Sequence, residues 1–397
     1  MSIPAESRVT DQFFQFLKSE KAGGLILLAC TILSLGIANS SAGAAYIHFW
    51  HHRLDLSFSF IHLNHTVEEW LNDGFMTLFF LMVGLEIERE LYAGELSDPK
   101  NALLPILAAL GGMAIPALVH WMLNRGSSTQ PGIGIPMATD IAFSLGMLSL
   151  LGKRVPISLK IFLTALAILD DLGAVVIIGI FYSRGLSLFY LGSALAVFGL
   201  LILFNRLRID RIWIYCVGGI LLWYFMLQSG VHATLAGVLL AFAIPFRRKP
   251  LDNLSQRVEH ILHKPVSLLI VPLFALANTG IRLMPGWFGH LSSANSLGIL
   301  LGLVLGKPAG IFGFCLAAVR FRLCRLPDGV SWWLLLGAGG LAGIGFTMSI
   351  FISNLAFADH GELIESSKIA VLAASLIAIA LGLSLLGLPW KTKSLSG

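Results

Sequence analysis

The sequence predicts an all-α polytopic membrane protein with twelve transmembrane helices. Of its 397 residues, 56% are hydrophobic and only 12% are charged, which is about half the charged fraction of an ordinary soluble domain. Apolar runs recur along residues 22–388, and only helices or closed barrels satisfy their backbone groups in lipid. A membrane β-barrel would show short segments of alternating hydrophobicity instead. We therefore treat residues 1–397 as one membrane domain.

Twelve candidate spans follow one another along the chain. The first is followed by ANSSAGAA, which resembles a signal-peptidase site, but the apolar run is longer than a usual signal core. We therefore expect an uncleaved first helix. The spans are approximately 22–38, 67–91, 102–123, 132–151, 157–182, 188–205, 212–228, 230–245, 262–281, 296–319, 332–357 and 366–388.

The distribution of lysine and arginine predicts that both termini are cytoplasmic. With that orientation, 21 of the 27 basic residues fall in cytoplasmic segments, five in outer segments and one, Lys307, within a span. This bias follows the positive-inside rule and supports an even number of spans. The net charge of +5 therefore reflects orientation signals, and nucleic acid is not an expected partner. The expected partner is the lipid bilayer.

The first outer loop, residues 39–66, is the longest loop on that side. Its LDLSFSF stretch, residues 54–60, alternates apolar and polar side chains and so indicates a strand. An exposed strand edge can pair with a second protomer, which predicts a homodimer through this loop. A loop that lies on the membrane surface is the alternative. Five histidines in the loop are interpreted as surface residues rather than as a metal site.

Four ionisable residues lie near the middle of predicted spans. They are Asp140, Asp170, Asp171 and Lys307, each 8 to 14 residues from the start of its span. A charged side chain at that depth costs at least about 2.5–3.5 kcal/mol on insertion scales. Four of them would cost on the order of 10 kcal/mol, as much as the net stability of a domain. They are therefore expected to pair with one another or to line a water-filled cavity.

Three acids against one base leave a surplus of carboxylates, which fits a cation site. Neighbouring helix positions point about 100° apart, so Asp170 and Asp171 are expected to divide two tasks. One pairs with Lys307, and the other binds a small hard cation such as Na⁺ or Li⁺. Burial disfavours the charged form of each group, so protons and the cation compete for one site. A buried ion-pair cluster that only fixes helix packing is the alternative.

The fourth and eleventh spans are predicted to be broken helices. GIGIPMATD, residues 132–140, and GAGGLAGIGFTMS, residues 337–349, are rich in glycine, and the first contains a proline. The alternative is that these glycines only allow close helix packing. The two spans are the middle members of triplets 3–5 and 10–12, which begin on opposite sides and so suggest inverted repeats. Thr139 and Thr347 fall at comparable places. Asp140 is expected to balance the positive helix ends, and Lys307 the negative ones.

Six stretches together resemble the NhaA-type bacterial Na⁺/H⁺ antiporters over nearly the whole chain. These stretches are ATDIAFSLG, LAILDDLGAVVI, GVHATLAG, LFALANTG, LGKPAGI and AGIGFTMSIFI. Inverted repeats are a known feature of this family. The resemblance implies unwound, crossing spans 4 and 11, and pH-regulated, electrogenic exchange of cytoplasmic Na⁺ or Li⁺ for external protons by alternating access. It also implies a homodimer in the bacterial inner membrane, with no cofactor other than the transported ions.

On the matching positions, Asp171 is expected to be the principal cation ligand, and Asp170 the proton-exchanging partner of Lys307. Thr139 would add an oxygen ligand, and Asp140 would tune binding. The resemblance also implies a division of the chain: interface helices within 22–91 and 188–281, and an ion-translocating core in 102–182 and 296–388.

Candidate pH-sensing residues cluster at the predicted cytoplasmic ends of two spans, although a polar helix end in the headgroup region is the alternative. His232 matches a further family position linked to pH response. The family often has a lysine where this chain has Gln256, so the pH profile is expected to differ. The two clusters are Glu86, Arg89 and Glu90, and Glu259, His260 and His263.

A Na⁺-coupled symporter of a small organic solute is the main alternative function. It would need a second, larger site, and no polar or aromatic cluster at mid-membrane suggests one. An intramembrane aspartyl protease would need YD and GxGD motifs, which are absent from the sequence. A retinal protein that uses Lys307 would have seven spans. We therefore expect a transporter and not an enzyme.

Overall fold

A computed structural model describes residues 20–58, 62–183, 185–247, 253–283 and 286–387. Within these ranges the chain is predominantly helical. Nine helical stretches, among them the interrupted stretch Gln130–Leu150, are long and apolar enough to cross a membrane, and two bent helix pairs would raise the number to eleven. The prediction of a polytopic helical membrane protein is confirmed. The count of twelve spans stays a prediction. The cytoplasmic position of both termini also stays a prediction, because residues 1–19 and 388–397 lie outside the described residues.

The described helices and strands have the following bounds. In the hairpin, β1 and β2 are antiparallel, with Arg53 opposite Thr66, Leu54 opposite His65 and Asp55 opposite Asn64. The elements are α1 Glu20–Ala38, α2 Gly43–Trp50, β1 Arg53–Asp55, β2 Asn64–Thr66, α3 Val67–Ala93, α4 Pro99–Asn124, α5 Ile141–Leu150, α6 Ile157–Phe181, α7 Leu188–Arg206, α8 Ile212–Ser229, α9 Leu235–Ala243, α10 Leu254–Asn278, α11 Trp287–His290, α12 Ala294–Arg320, α13 Trp332–Ala342, α14 Phe346–Ala356 and α15 Gly361–Gly387.

One predicted span differs from the helix that forms. The eighth span, 230–245, contains only the nine-residue helix α9, which at 1.5 Å per residue is far too short to cross the roughly 30 Å hydrocarbon layer alone. The first residues of this predicted span form a turn. In it, Gly230 has a positive φ of 81°, which glycine adopts readily. The first span, predicted over 22–38, agrees with α1, and α2 follows after a bend of 117°.

The strand prediction for residues 54–60 is confirmed only at its start. The first two of these residues belong to β1, and residues 59–61 lie outside the described part of the chain. Hydrogen bonds from the Ser57 side chain and backbone N–H to Asp55 hold the pKa of that carboxyl below its ordinary value. The hairpin is exposed and precedes α3 directly.

Close glycine contacts join neighbouring helices, including α12, which carries Lys307. Along the contact between α4 and α12, Gly111 and Gly310 each lie against the carbonyl oxygen of the other, so neither position has room for a Cβ atom. Similarly, Gly237 of α9 lies against the backbone of Thr77 in α3. These approaches bring polar side chains of neighbouring spans within hydrogen-bonding reach.

The fourth and eleventh predicted spans are interrupted in the structure. In the fourth, the 3₁₀ helix Gln130–Met137 is followed by non-helical residues 138–140 and then by α5. In the eleventh, α13 and α14 are separated by residues 343–345 and bent by 46°. Gly343 and Gly345 lie within the break of the eleventh span, where glycine weakens a helix, and Pro136 lies just before the break of the fourth.

Candidate ion-binding site

The two interruptions contact each other directly. The Asp140 N–H donates to the Ile344 carbonyl at 2.7 Å. The Thr139 hydroxyl lies 2.9 Å from the carbonyl oxygen of Ala342, the last residue of α13. Because the final carbonyls of a helix have no partner within that helix, the non-helical residues of one span complete the helix end of the other.

The Asp140 carboxylate caps two helices at once. One oxygen accepts the N–H of Phe143 at 2.9 Å, in the first turn of α5. The other accepts both the N–H of Thr347, at 3.1 Å, and its hydroxyl, in the first turn of α14. The side chain is buried, with 2% exposure. A carboxylate is favourable at the positive end of a helix dipole, and here one carboxylate faces two such ends.

Lys307 and Asp170 form a buried ion pair. The lysine Nζ lies 2.8 Å from Asp170 Oδ2, and neither side chain is exposed. Lys307 also donates to the carbonyl of Met137, the last residue of the 3₁₀ helix. The positive side chain therefore lies at a helix end where carbonyl groups carry partial negative charge.

The Thr139 hydroxyl lies between two acceptors. It is 2.7 Å from Asp170 Oδ2 and 2.9 Å from the Ala342 carbonyl. A hydroxyl has a single hydrogen, so it donates to one of these oxygens at a time. The Asp170 carboxylate and the end of α13 therefore share one donor.

The Asp171 carboxyl group is buried without a hydrogen-bond partner. Both of its oxygens are inaccessible, and neither has a partner among the residues that the structure describes. The Oδ1 atom of the neighbouring Asp170 is likewise unpartnered among these residues. An unpaired carboxylate ion is very costly in such a place. The group therefore suits either protonation or direct ligation of a cation.

A cavity of about 550 Å³ opens at the ends of α3 and α4 beside α6. Thr164 of α6 lines it and lies seven residues, roughly 10 Å, before Asp171 on the same helix. Polar side chains provide much of the remaining lining, among them Glu90, Asp98, Asn101 and Lys160. This cavity provides a polar approach toward the buried carboxyl groups.

Arg89 joins three of the predicted pH-sensing carboxylates. Its guanidinium lies 2.9 Å from a carboxylate oxygen of Glu259 in α10, and 3.1 Å and 3.5 Å from those of Glu90 and Glu86 in α3. The two predicted clusters are thus brought together. The side chains of His260 and His263 are exposed, so this ion-pair group consists of one arginine and three acids.

His232 lies apart from that group. Its Nδ1 atom is 3.7 Å from a carboxylate oxygen of Asp73 and 3.2 Å from the Thr234 hydroxyl. Asp73 is near the start of α3, thirteen residues or roughly 20 Å before Glu86. His232 is therefore at the opposite end of α3 from Arg89.

Sequence reasoning missed several buried polar contacts. Glu88 is 4% exposed and accepts a hydrogen bond at 2.9 Å from Ser255, although it stands between two predicted pH-sensing residues. Lys368, counted from the sequence as an outer residue, is 8% exposed and lies 3.7 Å from Glu68. Its position inside the predicted span 366–388 could have indicated that the side chain is buried.

Buried carboxyl groups and a buried lysine, gathered where two interrupted helices meet in an apolar helical bundle, are typical of a secondary transporter. The family model for "Na+/H+ antiporter 1" matches residues 14–386. The chain therefore belongs to the Na⁺/H⁺ antiporter 1 family.

Individual relatives agree along nearly their whole length. The chain is 56% identical over 380 residues to the Na(+)/H(+) antiporter NhaA of Dechloromonas aromatica, covering 95% of this chain and 96% of the relative. It is 53% identical over 376 residues to that of Cytophaga hutchinsonii, covering 95% of each. It is 44% identical over 386 residues to the Na(+)/H(+) antiporter NhaA 2 of Clostridium beijerinckii, covering 96% and 95%. The predicted family and its antiport activity are confirmed, and so is the expectation of a transporter rather than an enzyme.

Proposed function

We propose that the chain exchanges Na⁺ or Li⁺ for protons at one buried site centred on Asp171. The observation that carries the proposal is the Asp171 carboxyl group, whose two oxygens are buried without a hydrogen-bond partner among the described residues. A deprotonated group there binds a small cation, and a cation there excludes the proton. Family membership favours antiport over the alternative of Na⁺-coupled symport.

The neighbouring groups suit the accompanying proton transfers. Asp170 and Lys307 stabilise each other as an ion pair, and a proton gained by the acid or lost by the base ends that attraction. Thr139 brings a hydroxyl oxygen next to Asp170, and Asp140 keeps the two helix ends together. Because Asp171 and the ion pair can each take up a proton, more than one proton can exchange for one cation, which makes the exchange electrogenic.

The proposed transport cycle is alternating access across twelve spans. The interrupted spans 4 and 11, which contact each other at Asp140 and Thr139, are proposed to be unwound, crossing members of inverted repeats. The polar cavity beside Thr164 would be the cytoplasmic entrance, with both termini on that side of a bacterial inner membrane. The helices of 102–182 and 296–388 would then form the core that moves relative to the interface helices of 22–91 and 188–281.

Two further properties belong to the proposal. Regulation by pH is assigned to the group of Glu86, Glu90 and Glu259 around Arg89, because the charges of three acids near one base depend on protonation. A homodimer is assigned to the exposed hairpin in residues 39–66, since a free strand edge invites pairing.

Proteoliposomes that contain the purified chain and a pH-sensitive dye test the function. Adding Na⁺ or Li⁺ should drive proton movement between pH 6.5 and 9 with no organic solute present, whereas choline chloride should not. Asp171→Asn should abolish the response while the protein still folds. Asp328→Asn, which changes an exposed acid far from the site, is the matched control and should keep it.

Substantial Na⁺-driven proton movement by Asp171→Asn would contradict the assignment of the site. A response of the unaltered chain that required an organic solute would support symport instead.

A further inference from the structure

Two buried serines occupy matching positions in the two interrupted spans. Ser144 is the fourth residue of α5, and Ser349 is the fourth residue of α14. Both are completely buried. In each case the serine belongs to the helix that follows the interruption, so the two positions correspond within the two spans.

Each serine donates to the helix end of the other span. The Ser144 hydroxyl donates to the carbonyl of Leu341, the second-last residue of α13, at 2.9 Å. The Ser349 hydroxyl donates to the carbonyl of Ile135, the third-last residue of the 3₁₀ helix, at 2.6 Å. The contacts are therefore reciprocal.

These hydroxyls do not donate to the carbonyl that a helical serine commonly uses. Inside a helix, serine commonly donates to the carbonyl four residues earlier, as Ser353 does to Ser349 at 2.7 Å. Ser144 and Ser349 instead point across to carbonyl groups at the end of another helix segment. Carbonyls at a helix end lack a partner within their own helix. The Leu341 carbonyl also accepts the N–H of Ile344 at 3.1 Å, so the Ser144 hydroxyl is its second donor.

We propose that Ser144 and Ser349 are positioning residues for the ion site, forming a reciprocal clasp that fixes the distance between the two interruptions. The proposal rests on the proposed function. The Leu341 carbonyl immediately precedes that of Ala342, which shares the Thr139 hydroxyl with Asp170. The clasp thus holds the oxygen atoms around the carboxyl groups at the spacing that a cation requires.

The clasp acts on cation binding more than on the rate of transport, because it joins the two spans as one unit. Loss of one hydroxyl removes one of the hydrogen bonds that tie the two spans together and lets the helix end shift. We expect Ser144→Ala and Ser349→Ala each to raise the apparent KM for Na⁺ about 5- to 10-fold, the effect of one buried hydrogen bond. The maximal exchange rate should stay within about 2-fold of the unaltered chain, because the clasp moves with the spans it joins.

A matched control and a double variant sharpen the test. Ser353→Ala removes an equally buried hydroxyl from the same helix, but one that bonds only within that helix. It should change the KM by less than about 2-fold. The Ser144→Ala/Ser349→Ala variant should raise the KM by less than the product of the two single effects, because both serines hold one contact between spans.

The clasp is refuted if the single variants keep the KM of the unaltered chain, if Ser353→Ala raises it equally, or if the two effects multiply. Should an alanine variant not fold, the cysteine variant keeps a weaker donor of similar shape. That variant should raise the KM by a smaller factor, and an unchanged KM would count against the clasp. If the unaltered chain does not exchange Na⁺ for protons at all, the proposed function fails rather than the clasp.

Discussion

The ion pair of Lys307 and Asp170 leads to a stability prediction for the variant Lys307→Ala. Neither side chain is exposed, and 2.8 Å separates the charged atoms. Without the lysine, the carboxyl group takes a proton. An aspartic acid in water ionises near pH 3.9, so keeping it protonated at pH 7 costs about 1.4 kcal/mol for each of roughly three pH units, ~4 kcal/mol. Breaking buried pairs typically costs about 3–5 kcal/mol, so we expect a loss in that range.

The loss should depend on pH with a definite sign. In the folded variant Asp170 holds a proton that it releases on unfolding above about pH 4. The folded state then binds more protons, so the free energy of unfolding falls by about 1.4 kcal/mol per pH unit as the pH rises. Unfolding of the detergent-solubilised protein by heat or denaturant at pH 6 and pH 8.5 measures this difference, and the pH profile of exchange should shift as well.

The double variant Lys307→Ala/Asp170→Asn is the control. It removes both ionisable groups, so it should be more stable than Lys307→Ala at pH 8.5, because an asparagine is neutral without the cost of holding a proton far above pH 4. The reasoning would be refuted if Lys307→Ala unfolded like the unaltered chain at both pH values. A double variant no more stable than the single one would equally refute it.

Two other predictions concern the pH-sensing group and the helix contact. Arg89→Ala removes the positive charge that lies next to three carboxylates. The pH profile of exchange, measured in proteoliposomes, should therefore move to higher pH by about one unit, and an unmoved profile would exclude this role. Gly310→Ala places a Cβ against the α4 backbone and should destabilise the protein by at least about 1–3 kcal/mol. Gly313→Ala, in the same helix with open space around it, should be neutral in the same unfolding assay, and equal losses would contradict the contact.

The depth of ionisable residues made much of the site predictable. Asp140, Asp170, Asp171 and Lys307 were selected because each is expensive in an apolar span, and the structure places them around the two interruptions. Their individual roles in transport stay predictions. Glycine-rich sequence predicted the interruptions themselves, because glycine weakens a helix interior, although Gly340 also allows close packing against Gly382.

The contacts of some buried polar residues could not be predicted from the sequence. Ser144 and Ser349 look like any small helical residue, and only the crossing contacts distinguish them from Ser353. Glu88 looked like part of a solvated helix end, whereas the approach of α10 buries it against Ser255. In each case the information lies in how distant helices pack, which periodicity along one helix does not encode.

Helix lengths were misjudged where the chain turns inside an apolar stretch. The eighth span reads as continuous because most of its residues are apolar. The left-handed backbone at Gly230 nevertheless delays the start of α9. Hydrophobicity reports the surroundings of a residue and not its backbone conformation, so it does not mark where the turn ends and α9 begins.

The Thr139 hydroxyl behaves as a two-position switch of atomic size. Turning about one carbon–oxygen bond redirects its hydrogen from the Asp170 carboxylate to the α13 terminus, with every heavy atom left in place. Such rotations finish within picoseconds to nanoseconds, far sooner than helices rearrange. A change in the charge of Asp170 therefore alters the hydrogen bonding of the neighbouring span well before the backbone responds. Thr139→Ser would keep the hydroxyl group that makes this change, and Thr139→Val would remove it.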